Sequence, residues 1–288
     1  MGDHIVGSTS KQDLRSSFIT HLLNDVDALE YMLKNNMFET GITRIGSEQE
    51  FCLVNQNWRP SQLAEDILAR IDDPHFTTEL ARYNLEINLD PIELKERCFS
   101  IVEQRLHAHL EKAKKVADQF DSKIILTGIL PTISKKELEL DFMTGSPRYA
   151  ELNRMMRELR GGDFEMRLRG VDELSVRHDS VLFEACNTSF QIHLQIDPDE
   201  FSEHYNWSQA ISGPILSVCN NSPLLLGREL WSETRIALFQ QSIDTRNSSY
   251  SLRDQQGRVT FGNSWGSGSI ADLYKNDIAQ FKILLAKK

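Results

Sequence analysis

Apolar residues recur along this chain with two periods, one typical of strands and one typical of amphipathic helices. Within residues 43–54, Glu48 and Glu50 alternate with Phe51 and Leu53. Because successive side chains of a strand point to opposite faces, the two carboxylates share one face and the two apolar residues share the other. Carboxylates on one strand face repel each other unless a cation or a proton lies between them. The pattern predicts a strand with a core face and an acidic face.

Two later segments show the same alternation. In residues 79–89 the apolar positions are Leu85, Ile87 and Leu89, and the polar positions between them are Glu86 and Asn88. In residues 189–197 the apolar positions are Phe190, Ile192, Leu194 and Ile196, and the polar positions are Gln191, His193 and Gln195. One interpretation is an antiparallel sheet with a solvated face, which is common. The other is a shared site on the inner face of a curved sheet, because Lys, Arg, Thr and Ser are missing from these polar positions.

The remaining pattern predicts six helices and one further strand. The helices are expected at 13–34, 63–71, 93–120, 147–160, 200–220 and 269–288, and the strand at 123–130. Ser146 before Pro147 predicts a helix start and Gly161 a helix end, while Ser269 with Asp272 predicts a capping box. Residues 164–176 are expected to form a loop or a short hairpin, and 227–246 have no clear assignment. Strands mixed with helices predict an α+β fold, which we expect to be a single domain over 1–288.

Charge and cysteine content narrow the function classes. The net charge of −10 argues against partners with a nucleic-acid backbone or an anionic membrane surface, which recruit surplus Lys and Arg. The four cysteines are far apart and form no Cys-x-x-Cys pair, which favours reduced thiols and a cytoplasmic protein. Residues 1–11 do not resemble a signal peptide, and no apolar run is long enough to span a bilayer.

Divalent cations would explain why several carboxylates occur on neighbouring strand faces. Mg²⁺ and Mn²⁺ take oxygen ligands and leave coordination positions for substrate phosphates. With a single histidine, His193, among the carboxylates, an oxygen-rich Mg²⁺ or Mn²⁺ site is favoured, although zinc remains open. A histidine such as His193, taken alone, is more often an ordinary packed or surface residue, and its position between two glutamines of the strand makes the metal interpretation equally plausible.

Four motifs in order resemble the glutamate–cysteine ligase and carboxylate-amine ligase family. They are Gly46-Ser47-Glu48-Gln49-Glu50-Phe51, the 79–88 segment with Leu85-Glu86-Ile87-Asn88, Gln191-Ile192-His193-Leu194-Gln195, and residues 220–227. The resemblance implies a funnel-like, mostly antiparallel sheet flanked by helices, related to the glutamine synthetase catalytic fold. It also implies a place in glutathione biosynthesis: ATP phosphorylates the γ-carboxylate of glutamate, and an amine, such as that of cysteine, displaces phosphate.

The resemblance also assigns residues to roles. It makes Glu48, Glu50, Glu79, Glu86 and His193 the candidate metal ligands, with Glu79 placed before the alternating strand.

Three arginines are candidates for oxyanion contacts, because a guanidinium binds carboxylate and phosphate oxygens in pairs. Arg235 and Arg246 are expected to contact phosphate or the substrate carboxylate; the alternative is ordinary surface salt bridges with Glu233 and Asp244. Arg148 follows a helix start where the family has a similar Arg-Tyr, and is either a pocket residue or a surface one.

The chain departs from the family at two points. The family's Gly-x-His-Pro turn is Gly128-Ile129-Leu130-Pro131 here, without the histidine. Family chains usually continue further and supply a late strand with another metal-binding Glu and an Arg, and nothing before Lys288 clearly matches it. Either this is the N-terminal fragment of a longer chain, or Glu229 or Glu233 substitutes, or the metal site is incomplete.

We therefore expect an ATP- and Mg²⁺-dependent carboxylate-amine ligase acting on glutamate and an amine. A noncatalytic nucleotide- or amino-acid-binding regulatory domain on the same fold is the first alternative. A metal-dependent hydrolase that uses the same carboxylates without ATP is the second.

Overall fold

The computed structural model describes residues 6–7, 12–246, 257–281 and 286–287, which combine helices with antiparallel sheet as expected for an α+β fold. The helices are α1 (Gln12–Lys34), α2 (Ala64–Ile71), α3 (Cys98–Ala117), α4 (Pro147–Arg160), α5 (Phe201–Val218), α6 (Arg235–Ser242) and α7 (Ile270–Gln280). The strands are β1 (Val6–Gly7), β2 (Arg44–Val54), β3 (Phe76–Thr78), β4 (Asn84–Glu93), β5 (Lys123–Ile125), β6 (Phe164–Arg169), β7 (Glu173–His178), β8 (Phe190–Leu194), β9 (Leu224–Leu225), β10 (Arg228–Glu229) and β11 (Ala286–Lys287). None of the described helices combines the length and apolar character needed to cross a membrane.

Strand β2 is the centre of the main sheet. The strand order is β3-β4-β2-β5, and β8 also pairs with β2. All these pairs are antiparallel. β5 pairs with Cys52, Leu53 and Val54 at one end of β2, and β8 pairs with residues 45–49 at the other. The sheet does not close on itself within the described residues, because β8 pairs only with β2 there.

The two faces of β2 lie in two separate hydrophobic cores. Phe51 and Leu53 are fully buried beneath α2 and α3, together with Leu85 and Ile87 of β4. Cys52 is buried in the second core, which α4, the β6–β7 hairpin and a 3₁₀ helix over 181–186 complete. Each large apolar side chain buried this way contributes roughly 1.5–3 kcal/mol relative to exposure. As the alternation predicts, Phe51 and Leu53 face the first core, whereas Cys52, on the same strand face as Glu48 and Glu50, faces the second.

Strand β8 is exposed along its whole length, on both faces. The apolar side chains of Phe190, Ile192 and Leu194 lie on one face of the strand, as the alternation predicts, but all three are largely exposed. The described helices cover β2 and β4 and leave β8 uncovered.

Several predicted boundaries are wrong for identifiable reasons. The long helix begins at Cys98 rather than near residue 93, because β4 continues to Glu93 and pairs with Arg44. This continuation is possible despite Pro91, because the register shift leaves one residue of β2, Gly46, opposite two of β4 at a bulge, where proline is tolerated.

The further predicted strand is shorter than expected. It ends at Ile125 instead of residue 130, because the chain then turns so that the N–H of Gly128 donates to the carbonyl of Asn221 at 3.0 Å.

The predicted start and end of α4 are confirmed, whereas the predicted end of α7 is wrong. Pro147 opens α4, and Gly161 ends it in the left-handed conformation (φ 74°), with its N–H donating to the carbonyl of Arg157 at 2.9 Å. The capping box of Ser269 and Asp272 is confirmed, but α7 ends at Gln280 rather than at residue 288.

The two ambiguous segments are resolved by pairing and packing. Residues 164–178 form the β6–β7 hairpin, the second of the two predicted alternatives. Gly170 at its turn lies against Leu230, where a Cβ would come within 2.4 Å of the backbone, so that only glycine fits. The unassigned 227–246 segment contains β10 and α6.

Candidate active site

The polar positions of β2, β4 and β8 lie on one face of the sheet. Glu50 is directly opposite Glu86, and Glu48 is opposite Asn88 on one side and Gln191 on the other. Because directly opposed residues in an antiparallel pair project to the same face, the three predicted polar faces form one continuous surface.

Three carboxylates come together on this surface, and we call them the carboxylate cluster: Glu50, Glu79 and Glu86. Each offers an oxygen within 4.8 Å of the others. Glu79 lies just after β3 rather than in a strand, and its carbonyl accepts a hydrogen bond of 2.5 Å from the hydroxyl of Thr144. The pairing of β3 with β4, together with this contact to the loop before α4, places Glu79 beside Glu86, although sequence alone leaves its position open.

Burial and mutual repulsion dominate the electrostatics of the cluster. Burial raises the pKa of Glu50 to about 7, and the nearby Glu86 and Glu48 add to the effect. Two hydrogen bonds to its Oε2 oppose it, from the N–H of Ser189 at 2.5 Å and the hydroxyl of Ser189 at 3.0 Å. Burial and the charges of Glu86 and Glu50 raise the pKa of Glu79 well above its ordinary range. In the absence of a cation, Glu79 therefore holds a proton near neutral pH and Glu50 is partly protonated.

The donor set suits a hard divalent cation. The side-chain amide of Asn88 donates to Oε1 of Glu86 at 2.6 Å, while its own oxygen is buried without a hydrogen-bond partner among the described residues. An orphaned buried acceptor next to three carboxylates is an oxygen ligand set of the kind that Mg²⁺ and Mn²⁺ prefer.

The other two predicted ligands form a pair beside the cluster. Nε2 of His193 is 3.6 Å from Oε1 of Glu48. Glu48 is almost buried, whereas the side chain of His193 is 54% exposed. The structure thus brings Glu50, Glu79 and Glu86 together and places Glu48 and His193 next to them on the same sheet face.

The carboxylate cluster borders a cavity of about 840 Å³. Glu79, Glu86, Arg148 and Glu184 are among the residues that line it. Arg148, one of the predicted oxyanion contacts, lies within 5.9 Å of the ring of Tyr149, measured from the guanidinium carbon to the ring centroid. The cavity therefore combines acidic residues with a guanidinium.

Sequence reasoning missed Glu184. It lies in the 3₁₀ helix over 181–186, and burial together with the charge of Glu50 raises its pKa to about 7. The available signal was a lone acid within the otherwise apolar run Val181–Cys186.

Arg235 is not one of the residues that line the cavity. Its Nε pairs with Glu233, and its Nη1 donates to the carbonyl of Thr188 at 2.8 Å, next to the serine that binds Glu50. Arg235 therefore braces the segment that leads into β8.

Arg246 pairs with Asp244 at 2.6 Å and, like Arg235, does not line the cavity.

Glu229 and Glu233, the two acids considered as substitutes for the family's late metal-binding Glu, also lie outside the cavity lining. Glu233 is engaged by Arg235 and accepts hydrogen bonds from Asn221 and Ser222, and Glu229 is exposed in the β9–β10 ribbon. Neither lines the cavity that the carboxylate cluster borders.

Comparison with known proteins agrees with these observations. The model of the glutamate-cysteine ligase family 2 matches residues 44–258, which include β2, the carboxylate cluster, the cavity-lining residues and β8. A search of curated proteins finds no match. The matched segment covers most of the chain, and the protein belongs to the glutamate-cysteine ligase family 2.

Proposed function

We propose that this chain joins a carboxylate to an amine at the expense of ATP, with glutamate as the acyl donor and an amine such as that of cysteine as the acceptor. Family membership supports the reaction class. The observation that carries the proposal is the carboxylate cluster of Glu50, Glu79 and Glu86 beside an 840 Å³ cavity that also contains Arg148.

The carboxylate cluster is the proposed site for Mg²⁺ or Mn²⁺, with Glu48 and His193 as adjoining ligands. The side-chain oxygen of Asn88 supports this assignment, because it is a buried acceptor without a hydrogen-bond partner that a bound cation can satisfy. When bound, a divalent cation supplies positive charge that neutralises the phosphates of ATP.

The protein's own residues then position the substrates. A free carboxylate is a poor acyl donor, and phosphorylation by ATP converts its oxygen into a leaving group that the amine displaces. Arg148 is proposed to hold a phosphate or the α-carboxylate of the amino-acid substrate, because a guanidinium binds two such oxygens at once. Glu184, on the same cavity, is proposed to hold the ammonium group of that substrate by opposite charge.

Arg235 and Arg246 have weaker support as direct contacts. Each is paired with a carboxylate in the structure, so a phosphate contact requires exchange of that partner. For Arg235 we propose a positioning role, in which its bond to Thr188 holds Ser189 against Glu50.

The sheet is proposed to form part of a glutamine synthetase-like funnel. The support is its antiparallel order and the clustering of acidic and amide side chains on one face.

The test is a turnover assay. The protein is incubated with ATP, Mg²⁺, glutamate and a panel of amino acids and amines, while phosphate release and the ligated product are measured. We expect product with at least one amine, and none with Glu86→Gln. Glu103→Gln, an exposed change on α3, is the matched control and is expected to behave as wild type.

Other results would point to the alternatives. Tight ATP or glutamate binding without turnover for any pairing would contradict the ligase and favour a regulatory domain. Substrate hydrolysis without ATP would favour a hydrolase.

A further inference from the structure

A second group of metal-ligating side chains lies outside the cavity, and we call it the histidine cluster: Asp73, His75 and His109. Their ligand atoms lie within 4.8 Å of one another. Asp73 and His75 follow α2, whereas His109 is in α3, so the three residues connect two parts of the fold. The two imidazole rings are 4.6 Å apart between centroids, and His109 also contacts the ring of Phe76 edge-on.

His75 is oriented by carboxylates on both of its ring nitrogens. Its Nε2 is 3.2 Å from Oδ2 of Asp90, and its Nδ1 is 2.7 Å from Oδ1 of Asp73. Metal-binding histidines usually bond their second nitrogen to a carboxylate, which fixes the ring and raises its basicity. In this arrangement Asp90 is the orienting carboxylate, and Nδ1 of His75 is the nitrogen next to Asp73.

The spacing of the three residues suits an ion of zinc's size. Nδ1 of His109 is 3.9 Å from Oδ2 of Asp73, which is too long for a hydrogen bond. Ligand atoms on a tetrahedral zinc ion are about 3.3 Å apart, given metal–ligand distances near 2.0–2.2 Å. The two observed distances, 2.7 Å from His75 to Oδ1 of Asp73 and 3.9 Å from His109 to Oδ2, lie on either side of this separation. One ligand atom from each of the three residues already lies within 4.8 Å of the others, so side-chain rotations can bring them to ligand spacing.

We propose that Asp73, His75 and His109 form a binding site for a transition-metal dication of the zinc class, separate from the carboxylate cluster. Two imidazole nitrogens and one carboxylate oxygen favour Zn²⁺, Co²⁺ or Ni²⁺ over Mg²⁺. A water molecule completes a tetrahedral ion at a site with three protein ligands.

The Lys112 ammonium competes with the metal for Asp73. Its Nζ is 2.7 Å from Oδ2 of Asp73, and its side chain is 42% exposed, so it is free to turn toward solvent. Metal binding exchanges this ion pair, together with the hydrogen bond between His75 and Asp73, for coordination.

The proposed site is connected to the wall of the cavity. The carbonyl of His75 accepts a hydrogen bond of 2.7 Å from the N–H of Asn88, and Pro74 lines the cavity. An ion on the histidine cluster therefore fixes the segment between α2 and β3 against α3, next to the strand that carries Glu86. The site is structural and does not depend on the proposed ligase activity.

The test is metal titration of the whole protein after chelator treatment. Zn²⁺ binding is measured by calorimetry, and Co²⁺ binding by the visible absorption of the nitrogen-ligated ion. Glu79→Gln serves as the background, so that the carboxylate cluster contributes little. We expect one equivalent of Zn²⁺, and at least about 10- to 100-fold weaker binding in His109→Gln, since even loss of an outer partner weakens sites by that factor.

Two further variants keep the test decisive. His107→Gln, an exposed change on the same helix, is the matched control and is expected to bind as the background does. Asp90→Asn alters a side chain that is 77% exposed, so folding is preserved, and we expect roughly 10-fold weaker binding. Equal Zn²⁺ affinity in the background, His109→Gln and Asp90→Asn, or no stoichiometric binding in the background, would overturn the proposal.

Discussion

The carboxylate cluster and the histidine cluster both adjoin the β3–β4 pair, yet they balance charge in opposite ways. In the first, burial and other carboxylates raise the pKa of Glu50 and Glu79. In the second, burial acts to raise the pKa of Asp73, but hydrogen bonds from Lys112 and His75 outweigh it and lower that pKa. Like charges held together need a proton or a cation, whereas mixed charges satisfy one another. The comparison teaches that a metal displaces different partners at the two clusters: protons at the carboxylate cluster, and the hydrogen bonds that Lys112 and His75 make with Asp73 at the histidine cluster.

The largest effect is expected when the carboxylate cluster loses an acid. Glu79→Gln keeps the shape and removes a ligand, and we expect ligase kcat/KM to fall by at least about 10²-fold, because a bound ion supplies several kcal/mol of transition-state stabilisation. The measurement is steady-state phosphate release. His75→Gln, a change in the other cluster, is the comparison and is expected to lose much less; equal losses would erase the distinction between the clusters.

The second prediction concerns pH and stability in the absence of metal. The pKa of Glu50 is higher in the folded state than in the unfolded one, so folding is favoured below the unfolded value, and this contribution is lost as pH rises toward 7. In EDTA we expect the free energy of unfolding to fall by about 2–3 kcal/mol between about pH 5 and pH 8. Urea denaturation measures it, and Mg²⁺ is expected to restore the loss at the higher pH.

Glu50→Gln separates this effect from that of His75. Hydrogen bonds with Asp73 and Asp90 raise the pKa of His75, so its contribution is also lost as pH rises. That contribution, and those of Glu79 and Glu184, whose pKa values are also raised, persist in Glu50→Gln, whereas the part from Glu50 disappears and the pH slope becomes shallower. An unchanged slope in this variant would contradict the assignment of the effect to the carboxylate cluster.

The third prediction tests the guanidinium group of Arg148, which lines the cavity. Arg148→Ala is expected to raise KM for ATP or glutamate by about 10- to 100-fold, because a charge-assisted hydrogen bond is worth roughly 1.5–3 kcal/mol. Arg148→Lys is expected to restore KM only in part, since an ammonium group cannot bind two oxygens side by side as a guanidinium does. Arg246→Ala is the control outside the cavity, and a larger KM effect there would show that the predicted contact of Arg246 is the correct one.

The smallest effect is expected at Lys112. Lys112→Gln removes the cation that competes for Asp73, so we expect Zn²⁺ affinity at the histidine cluster to rise by a few-fold, in line with about 0–1 kcal/mol for a surface pair. Calorimetry with Zn²⁺ measures the change. Weaker Zn²⁺ binding in this variant would indicate that Lys112 supports the cluster instead of competing with the ion.

Sequence alone predicted the strand faces better than the contacts between segments. The alternation of Glu48, Glu50 and Phe51 was sufficient because a period of two fixes the face of each residue. The boundary between β4 and α3 was not predictable, because it depends on a bulge opposite Gly46 that accommodates Pro91.

The carboxylate cluster shows the same limit. Glu50 and Glu86 follow from the alternation, but Glu79 joins them through the pairing of β3 with β4 and the hydrogen bond from Thr144, 65 residues away in the chain. Glu184 enters from a 3₁₀ helix with no periodic signal. Arg235 and Arg246 pair with Glu233 and Asp244, two residues away in each case, which is the salt-bridge alternative stated from the sequence. Long-range packing, which no local pattern contains, decided the positions of Glu79 and Glu184.

The most direct test of the central claim is the Mn²⁺ affinity of wild type and Glu86→Gln, measured by electron paramagnetic resonance near neutral pH. The account predicts that wild type and the control Glu103→Gln bind Mn²⁺ equally, and that Glu86→Gln binds it at least about 100-fold more weakly, since it loses a carboxylate ligand of the cluster. Equal Mn²⁺ affinity in wild type and a folded Glu86→Gln protein would contradict the claim that the carboxylate cluster holds a divalent cation.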